Sequence, residues 1–265
     1  MRVLIVENET DVARAAAEQV AGVIRAGRAS GRAAVLGIAT GSSPLGIYRE
    51  LASEIRGDKL DTAGVSAFAL DEYVGLDAAH PESYHSVIRR TVTEPLRLDP
   101  DRVHVPNGTS SDLEAECAAY ERAIRGAGGI DLQLLGVGSN GHIGFNEPVS
   151  SFASRTRLKT LAPQTRADNA RFFDSAEQVP VHCITQGLGT ILEADRLLLV
   201  AHGAAKANAV ARMIEGPLTS MCPASVLQLH PDATVIVDRE AAAELQLVDY
   251  YEWVQHHLPE EAQGS

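Results

Sequence analysis

The stretch Ala33–Ile55, AAVLGIATGSSPLGIYRELASEI, decides the architecture. Its first part, Ala33–Ala39, carries no polar side chain on either face of an extended chain. The turn-rich segment Thr40-Gly41-Ser42-Ser43-Pro44 follows and leads into a helical stretch, Leu45–Ile55. A strand that is apolar on both faces must be covered on both sides, which is the environment of a parallel sheet between helix layers. Outward from this unit the alternation repeats. Arg2–Val6 reads as a strand. From Asp11 to Ala26 the apolar positions Val12, Ala16, Val20 and Ile24 recur every fourth residue, as in an amphipathic helix. Val65–Leu70, Leu132–Val137, Leu197–Val200 and Thr234–Val237 are further short runs bounded by Gly, Asp or Pro, with helical stretches Asp112–Ile124, Ala204–Ile214 and Ala224–Leu229 between them. The expected fold is one α/β domain over residues 1–258, a doubly wound, mostly parallel sheet with helices on both faces. Residues 259–265 are expected to form a frayed tail.

Composition narrows the function classes. The chain has 265 residues, 45 % of them hydrophobic, enough for a substantial core. No apolar run approaches the roughly 18 to 20 residues needed to span a bilayer. The start, MRVLIVENET, has too short an apolar run for a signal peptide, and acids follow at once. Cys117, Cys183 and Cys222 are an odd number, widely spaced and without a CxxC, which argues against disulfides and zinc and for a reducing, cytoplasmic setting. A formal charge of −12 disfavours nucleic acid and anionic membrane, but leaves room for a small anion at a local basic site.

In doubly wound sheets ligands bind beyond the carboxyl ends of the strands, which directs attention to three loops. Thr40–Pro44 offers glycine, hydroxyls and helix-start N–H groups that suit a phosphate; an ordinary strand-to-helix turn with a Ser cap fits that loop equally well. Asp71 and Glu72 in ALDEYVGL fall at a strand end, where a partly desolvated carboxylate can act as a general base; a helix cap or solvated surface is the plainer reading of such a pair. The third loop, Gly136–Pro148, contains GxGxxG at Gly136, Gly138 and Gly141, yet Gly144, Asn146 and Pro148 break any helix that a dinucleotide fingerprint would open. What remains there is His142 and Glu147, and an imidazole is suited to take and return a proton near neutral pH, although a lone loop histidine is usually surface. Charge asymmetry adds Arg155, Arg157, Lys159, Arg166 and Arg171 around one acid, Asp168; this is either a solvated face or an anion site that follows the third loop. Lys206, in HGAAKANAV, is a further phosphate-ligand candidate.

These segments together resemble the glucosamine-6-phosphate deaminase (glucosamine-6-phosphate isomerase) family. The resemblance runs from the first strand to about Asp238 and rests on ATGSSPLGIY, LDEYVGL with HPESY (His80–Tyr84), GHIGFNEP, SRTRLKT, NARFFD and LQLHP. It implies a Rossmann-like fold with a lid segment after residue 150, and an enzyme that converts glucosamine 6-phosphate and water to fructose 6-phosphate and ammonia without cofactor or metal. By matching position it implies that Asp71 moves the proton between C2 and C1 of the open-chain sugar. His142 opens the ring, Glu147 holds and polarises His142, and Asn140 is the other polar partner, where many members carry Asp and others Asn. Thr40, Gly41, Ser42, Ser43, Arg171 and Lys206 would hold the phosphate, with Glu72 beside the base. Some members are homo-oligomers activated by N-acetylglucosamine 6-phosphate at a subunit interface, and Ser150, Arg157, Lys159 and Thr160 match that site. Tyr250 and Tyr251 lie in a stretch that does not align with its tyrosine without a gap. Two rival readings are a sugar-phosphate lactonase with a similar glycine-rich His loop and a sugar-phosphate-binding regulator without turnover. FNEP and LDEYVGL favour the deaminase over the first, and the presence of both Asp71 and His142 disfavours the second.

Overall fold

A computed structural model of the protein describes residues 1–257, so the last residue of the expected domain and the expected tail lie outside the described residues. Among the described residues ten strands run β1 (Arg2–Val6), β2 (Val35–Ile38), β3 (Ser66–Ala69), β4 (Asp71–Tyr73), β5 (Val103–His104), β6 (Leu132–Leu135), β7 (Arg157–Thr160), β8 (His182–Thr185), β9 (Leu197–Ala201) and β10 (Ala233–Asp238). The α-helices are α1 (Glu9–Ala29), α2 (Leu45–Arg56), α3 (Tyr84–Ile88), α4 (Leu113–Gly126), α5 (Pro163–Asn169), α6 (Leu188–Leu192), α7 (Ala207–Ile214) and α8 (Val248–His256). Seven strands form one sheet in the order β1-β10-β9-β6-β2-β3-β5, every pair parallel.

Side chains alternate between the two faces of a strand, and two cores follow from that alternation. Leu197 and Leu199 of β9, Leu135 of β6 and Val235 and Val237 of β10 pack with α4, α6 and α7. Their neighbours Leu198, Val200, Leu134 and Ile236 pack with α1 and α2. The sheet is therefore covered on both faces, as the apolar runs predict. Helix α1 starts earlier than its periodicity alone suggests, because the Asn8 side chain caps it by accepting from the Asp11 backbone N–H. The stretch expected as helix over Ala224–Leu229 is wound as a 3₁₀ helix, Pro223–Leu229.

A second, smaller sheet was not foreseen. β4, β8 and β7 pair antiparallel in the order β4-β8-β7. β4 leaves β3 after one residue, Leu70, where the sequence reading ends its strand Val65–Leu70 and places Asp71 and Glu72 beyond it. Glu121 of α4 fastens this sheet to the main body: its carboxylate accepts from the Thr156 backbone N–H and hydroxyl, from the Thr190 hydroxyl and from Arg155. Burial alone would push Glu121 up, but these hydrogen bonds bring it down to about 2. Among the described residues no helix is long and apolar enough to cross a membrane.

Candidate active site

β9, β6, β2 and β3 are consecutive and parallel, so the loops leaving their carboxyl ends converge. They carry Lys206, the segment Gly136–Pro148, the Thr40–Pro44 loop and Asp71. Two contacts show how close they come. A Cβ built on Gly136 would lie 3.9 Å from Ser43 Cβ, and one on Gly144 would lie 3.5 Å from Asp71 Oδ2.

Asp71 and Glu72 are neighbours on a strand and so project to opposite faces. Glu72 turns to the start of α3, where its carboxylate accepts from the backbone N–H groups of Tyr84 and His85, each at 2.9 Å, as well as from that of Tyr73. Asp71 turns to the loop junction beside Gly144. It is 5 % exposed and accepts no hydrogen bond to its side chain among the described residues. Burial first, and the charge of Glu72 second, hold its carboxyl well above the usual range.

The third loop is built around the His142 ring. A Cβ on Gly138 would come within 2.1–2.5 Å of three atoms of that ring, so the imidazole packs against a residue that has no side chain. Gly141, at φ +88°, donates its backbone N–H to Gly138 O at 2.9 Å and closes the turn. His142 Nδ1 is 2.7 Å from Asn140 Oδ1, while Asn140 Nδ2 donates to Glu147 Oε2 at 2.8 Å. An ionised carboxylate only accepts, so Glu147 fixes which end of the Asn140 amide faces it. The amide oxygen is thereby turned to His142, whose own backbone N–H donates to the same oxygen. The network thus assigns the imidazole proton to Nδ1 and leaves Nε2 with a bare lone pair. The other oxygen of Glu147 accepts from Thr165 Oγ1 at 2.5 Å and from the Ala162 backbone N–H at 3.2 Å, both at the start of α5. His142 itself is pushed down, by burial first and by Lys206, against the opposing charges of Glu147 and Asp168.

On the anion side, α2 has no side-chain cap at its start, so the Ser-capped turn considered for Thr40–Pro44 is not what the loop forms. Gly41 sits at φ +90°. Lys206 Nζ donates to Val137 O at 2.8 Å; its pKa is lowered, chiefly by burial, with Asp168 opposing and Arg171 adding to the shift. Arg171 is exposed, with its guanidinium 4.7 Å from the Phe172 ring centre.

The four residues matched to an activator site lie farther out. Arg157, Lys159 and Thr160 are on β7; Ser150 follows Pro148 and gives its hydroxyl to Glu147 O at 2.7 Å. Arg157 donates to Asn146 Oδ1 at 2.9 Å and to Ser150 Oγ at 3.3 Å. Sequence reasoning missed Thr165, Ser139, Tyr73 and Tyr84. The Tyr84 hydroxyl donates to the Tyr73 hydroxyl at 3.4 Å, and the Tyr73 hydroxyl accepts from Asn169 Nδ2 at 2.9 Å. HPESY and NARFFD, which hold Tyr84 and Asn169, were the available signal. A crevice of about 610 Å³ elsewhere, lined in part by Glu7, Arg14, Arg239 and Glu252, offers no comparable site, since Arg239 is already paired with Glu7 and Glu252.

Comparison with known proteins shows the family and the fold. Residues 7–236 match the family described as glucosamine-6-phosphate isomerases/6-phosphogluconolactonase. The glucosamine-6-phosphate deaminase of Cutibacterium acnes is 55 % identical over 96 % of this chain and 95 % of its own length. That of Streptomyces coelicolor is 59 % identical over 86 % of this chain and 87 % of its own length. Among solved structures, a monomeric glucosamine-6-phosphate deaminase is 43 % identical, covers 92 % of this chain and 100 % of its own, and superposes with a TM-score of 0.89. The 6-phosphogluconolactonase from Trypanosoma cruzi, 20 % identical with a TM-score of 0.75 over 92 % of this chain and 97 % of its own, shares the fold. This chain belongs to the glucosamine-6-phosphate isomerase/6-phosphogluconolactonase family.

Proposed function

We propose that this protein is a glucosamine-6-phosphate deaminase, an enzyme of amino-sugar metabolism that converts glucosamine 6-phosphate and water to fructose 6-phosphate and ammonia. The observation that carries this reading is the placement of Asp71, buried and with no side-chain hydrogen bond among the described residues, against Gly144, two residues beyond His142. His142 Nε2 takes the proton of the anomeric hydroxyl and returns one to the ring oxygen, which opens the pyranose. Asn140 and Glu147 keep the imidazole in the tautomer that can do so. Asp71 then removes the proton on C2, made acidic by the C1 carbonyl, and delivers it to C1, while the amino group gives up a proton and the C1 oxygen gains one, leaving a C1 hydroxyl and a C2 imine. The resulting C2 imine takes up water and releases ammonia. A carboxylate short of donors is the stronger base for that carbon acid. Thr40, Gly41, Ser42, Ser43, Lys206 and Arg171 hold the phosphate, whose binding energy orients the reacting carbons. Glu72 supports the site through α3. No step calls for a metal or redox cofactor.

Residues 1–258 act in this reading as one domain, with the β7–α5 region as its lid. We further read Ser150, Arg157, Lys159 and Thr160 as an activator site for N-acetylglucosamine 6-phosphate in a cytoplasmic homo-oligomer. The support is that Arg157 grips Asn146, next to Glu147, so an anion drawing on Arg157 would act on the His142 loop. The related solved deaminase is described as monomeric. Hyperbolic kinetics unchanged by the N-acetylated sugar phosphate, together with a monomer in light scattering, would remove both the activator and the oligomer. The main test is ammonia release from glucosamine 6-phosphate by purified protein, with 6-phosphogluconolactone hydrolysis assayed in parallel. Absence of ammonia release would sink the assignment.

A further inference from the structure

Asp168 is the one acid between Arg155 and Arg171, and the reaction above makes no use of it. It lies on α5, three residues after Thr165, which holds Glu147. Its Oδ2 accepts from Ser139 Oγ at 3.3 Å and its Oδ1 from Gln164 Nε2 at 2.8 Å. Ser139 belongs to the His142 loop, and Lys206 donates to Val137 O, two residues before it. An acid and a lysine therefore reach the same short segment, one from α5 and one from the loop between β9 and α7, with Arg171 three residues beyond the acid. Asp168 also acts on both Lys206 and His142 through its charge, in each case against the effect of burial.

A sugar phosphate brings a charge of about −1.5 to −2 into this group. Lys206 and Arg171 attract it, and the Asp168 carboxylate, held to Ser139 and Gln164, repels it. We propose that Asp168 is a counter-charge built into the phosphate subsite, which sets how weakly sugar phosphates are held and how readily product leaves. This rests on the reading of Thr40–Ser43, Lys206 and Arg171 as that subsite. The repulsion acts on the remote phosphate in ground and transition states alike, so it belongs in KM more than in kcat.

The test compares wild type with Asp168→Asn and Asp168→Ala, using inorganic phosphate as a competitive inhibitor of ammonia release. Asn keeps a hydrogen bond to Ser139 and removes the charge; Ala removes both. Both variants should bind inorganic phosphate, and lower KM, by about 2- to 10-fold, with kcat moving less. The gap should narrow as salt is raised from about 20 to about 200 mM, because exposed charges are screened. Phosphate inhibition in Asp168→Asn equal to or weaker than wild type would overturn the proposal. If Asp168→Ala alone weakened binding, Asp168 would be a latch on Ser139. Failure of wild type to bind phosphate while still releasing ammonia would instead remove the subsite assignment on which the proposal rests.

Discussion

Asp71 and Glu147 are buried almost equally, at 5 % and 6 % exposed, yet their surroundings are opposite. Glu147 accepts from Asn140, Thr165 and the Ala162 backbone, so both of its oxygens are engaged. Asp71 accepts from none of the described residues, and burial holds its carboxyl high. A satisfied carboxylate is a fixed post on which other groups are oriented. One without such donors, facing the loop junction, is free to act as the base in the proposed reaction. The same loop junction thus holds two carboxylates that differ in their supply of donors rather than in depth, and the proposed mechanism gives them different roles.

Substitutions can break that contrast. The largest effect is expected for Asp71→Asn, which should lower kcat by about 10³-fold, within the span of general-base removal. It should also leave the fold at least as stable at pH 7. The folded state holds the Asp71 proton more tightly than the unfolded chain does. Its contribution to stability is therefore full below the unfolded pKa and fades as pH rises toward the folded one, a penalty that the amide lacks. A clear drop in thermal stability would show that Asp71 is a post after all. Next comes Glu147→Gln. Its amide nitrogen must face a donor, either Asn140 Nδ2 or the Thr165 and Ala162 pair, at a cost of about 1–3 kcal/mol in orientation or stability. A roughly 10- to 100-fold loss in kcat/KM, with ring opening slowed, is expected. Unchanged ring opening would break the link from Glu147 to His142.

A smaller effect sharpens the same contrast. Asn140→Asp adds a negative charge beside Nδ1, favours the imidazolium and should move the acid limb of the kcat/KM profile to higher pH. The new carboxylate would also face Glu147 at the present 2.8 Å contact. An unmoved limb would mean that the two acids share a proton, so that Asn140 orients but does not tune. The smallest effect on activity is expected for Glu121→Gln, a fully engaged carboxylate outside the site. Its pKa lies below that of the unfolded chain, so its stabilisation is present above the unfolded value of 4.5 and is lost as pH falls toward about 2. The variant should lose about 1–2 kcal/mol at pH 7, less as the solution is acidified through that window, and keep most of its kcat. Denaturant titration at several pH values checks the sign.

The central sheet could be read from the chain because β2, β6, β9 and β10 are apolar on both faces, which only a layer between helices explains. The small sheet could not. β7 alternates half-buried Arg157 and Lys159 with exposed Leu158 and Thr160, and the sequence reading took the stretch for a basic cluster. In the site, GHIGFNEP disclosed His142 and Glu147, but not that an amide stands between them, since the 2.7 and 2.8 Å contacts depend on how the turn folds back. Thr165 carries no sequence signal; it matters because α5 brings one hydroxyl onto one carboxylate oxygen. The opposite aims of Asp71 and Glu72 were invisible until a strand was assigned across both.

The turn at Gly141 bears on how the protein ages. Asparagine followed by glycine deamidates when the glycine amide nitrogen attacks the side-chain carbonyl, and the products are aspartate and isoaspartate. Here that nitrogen is committed to Gly138 O, and the Asn140 amide is held at both ends by His142 and Glu147. The reactive geometry is thus withheld while the loop stays closed and returns when it opens. The rate at which stored protein gains one negative charge, followed by isoelectric focusing, becomes a clock for opening of this loop. A ligand that keeps the loop shut should slow that clock.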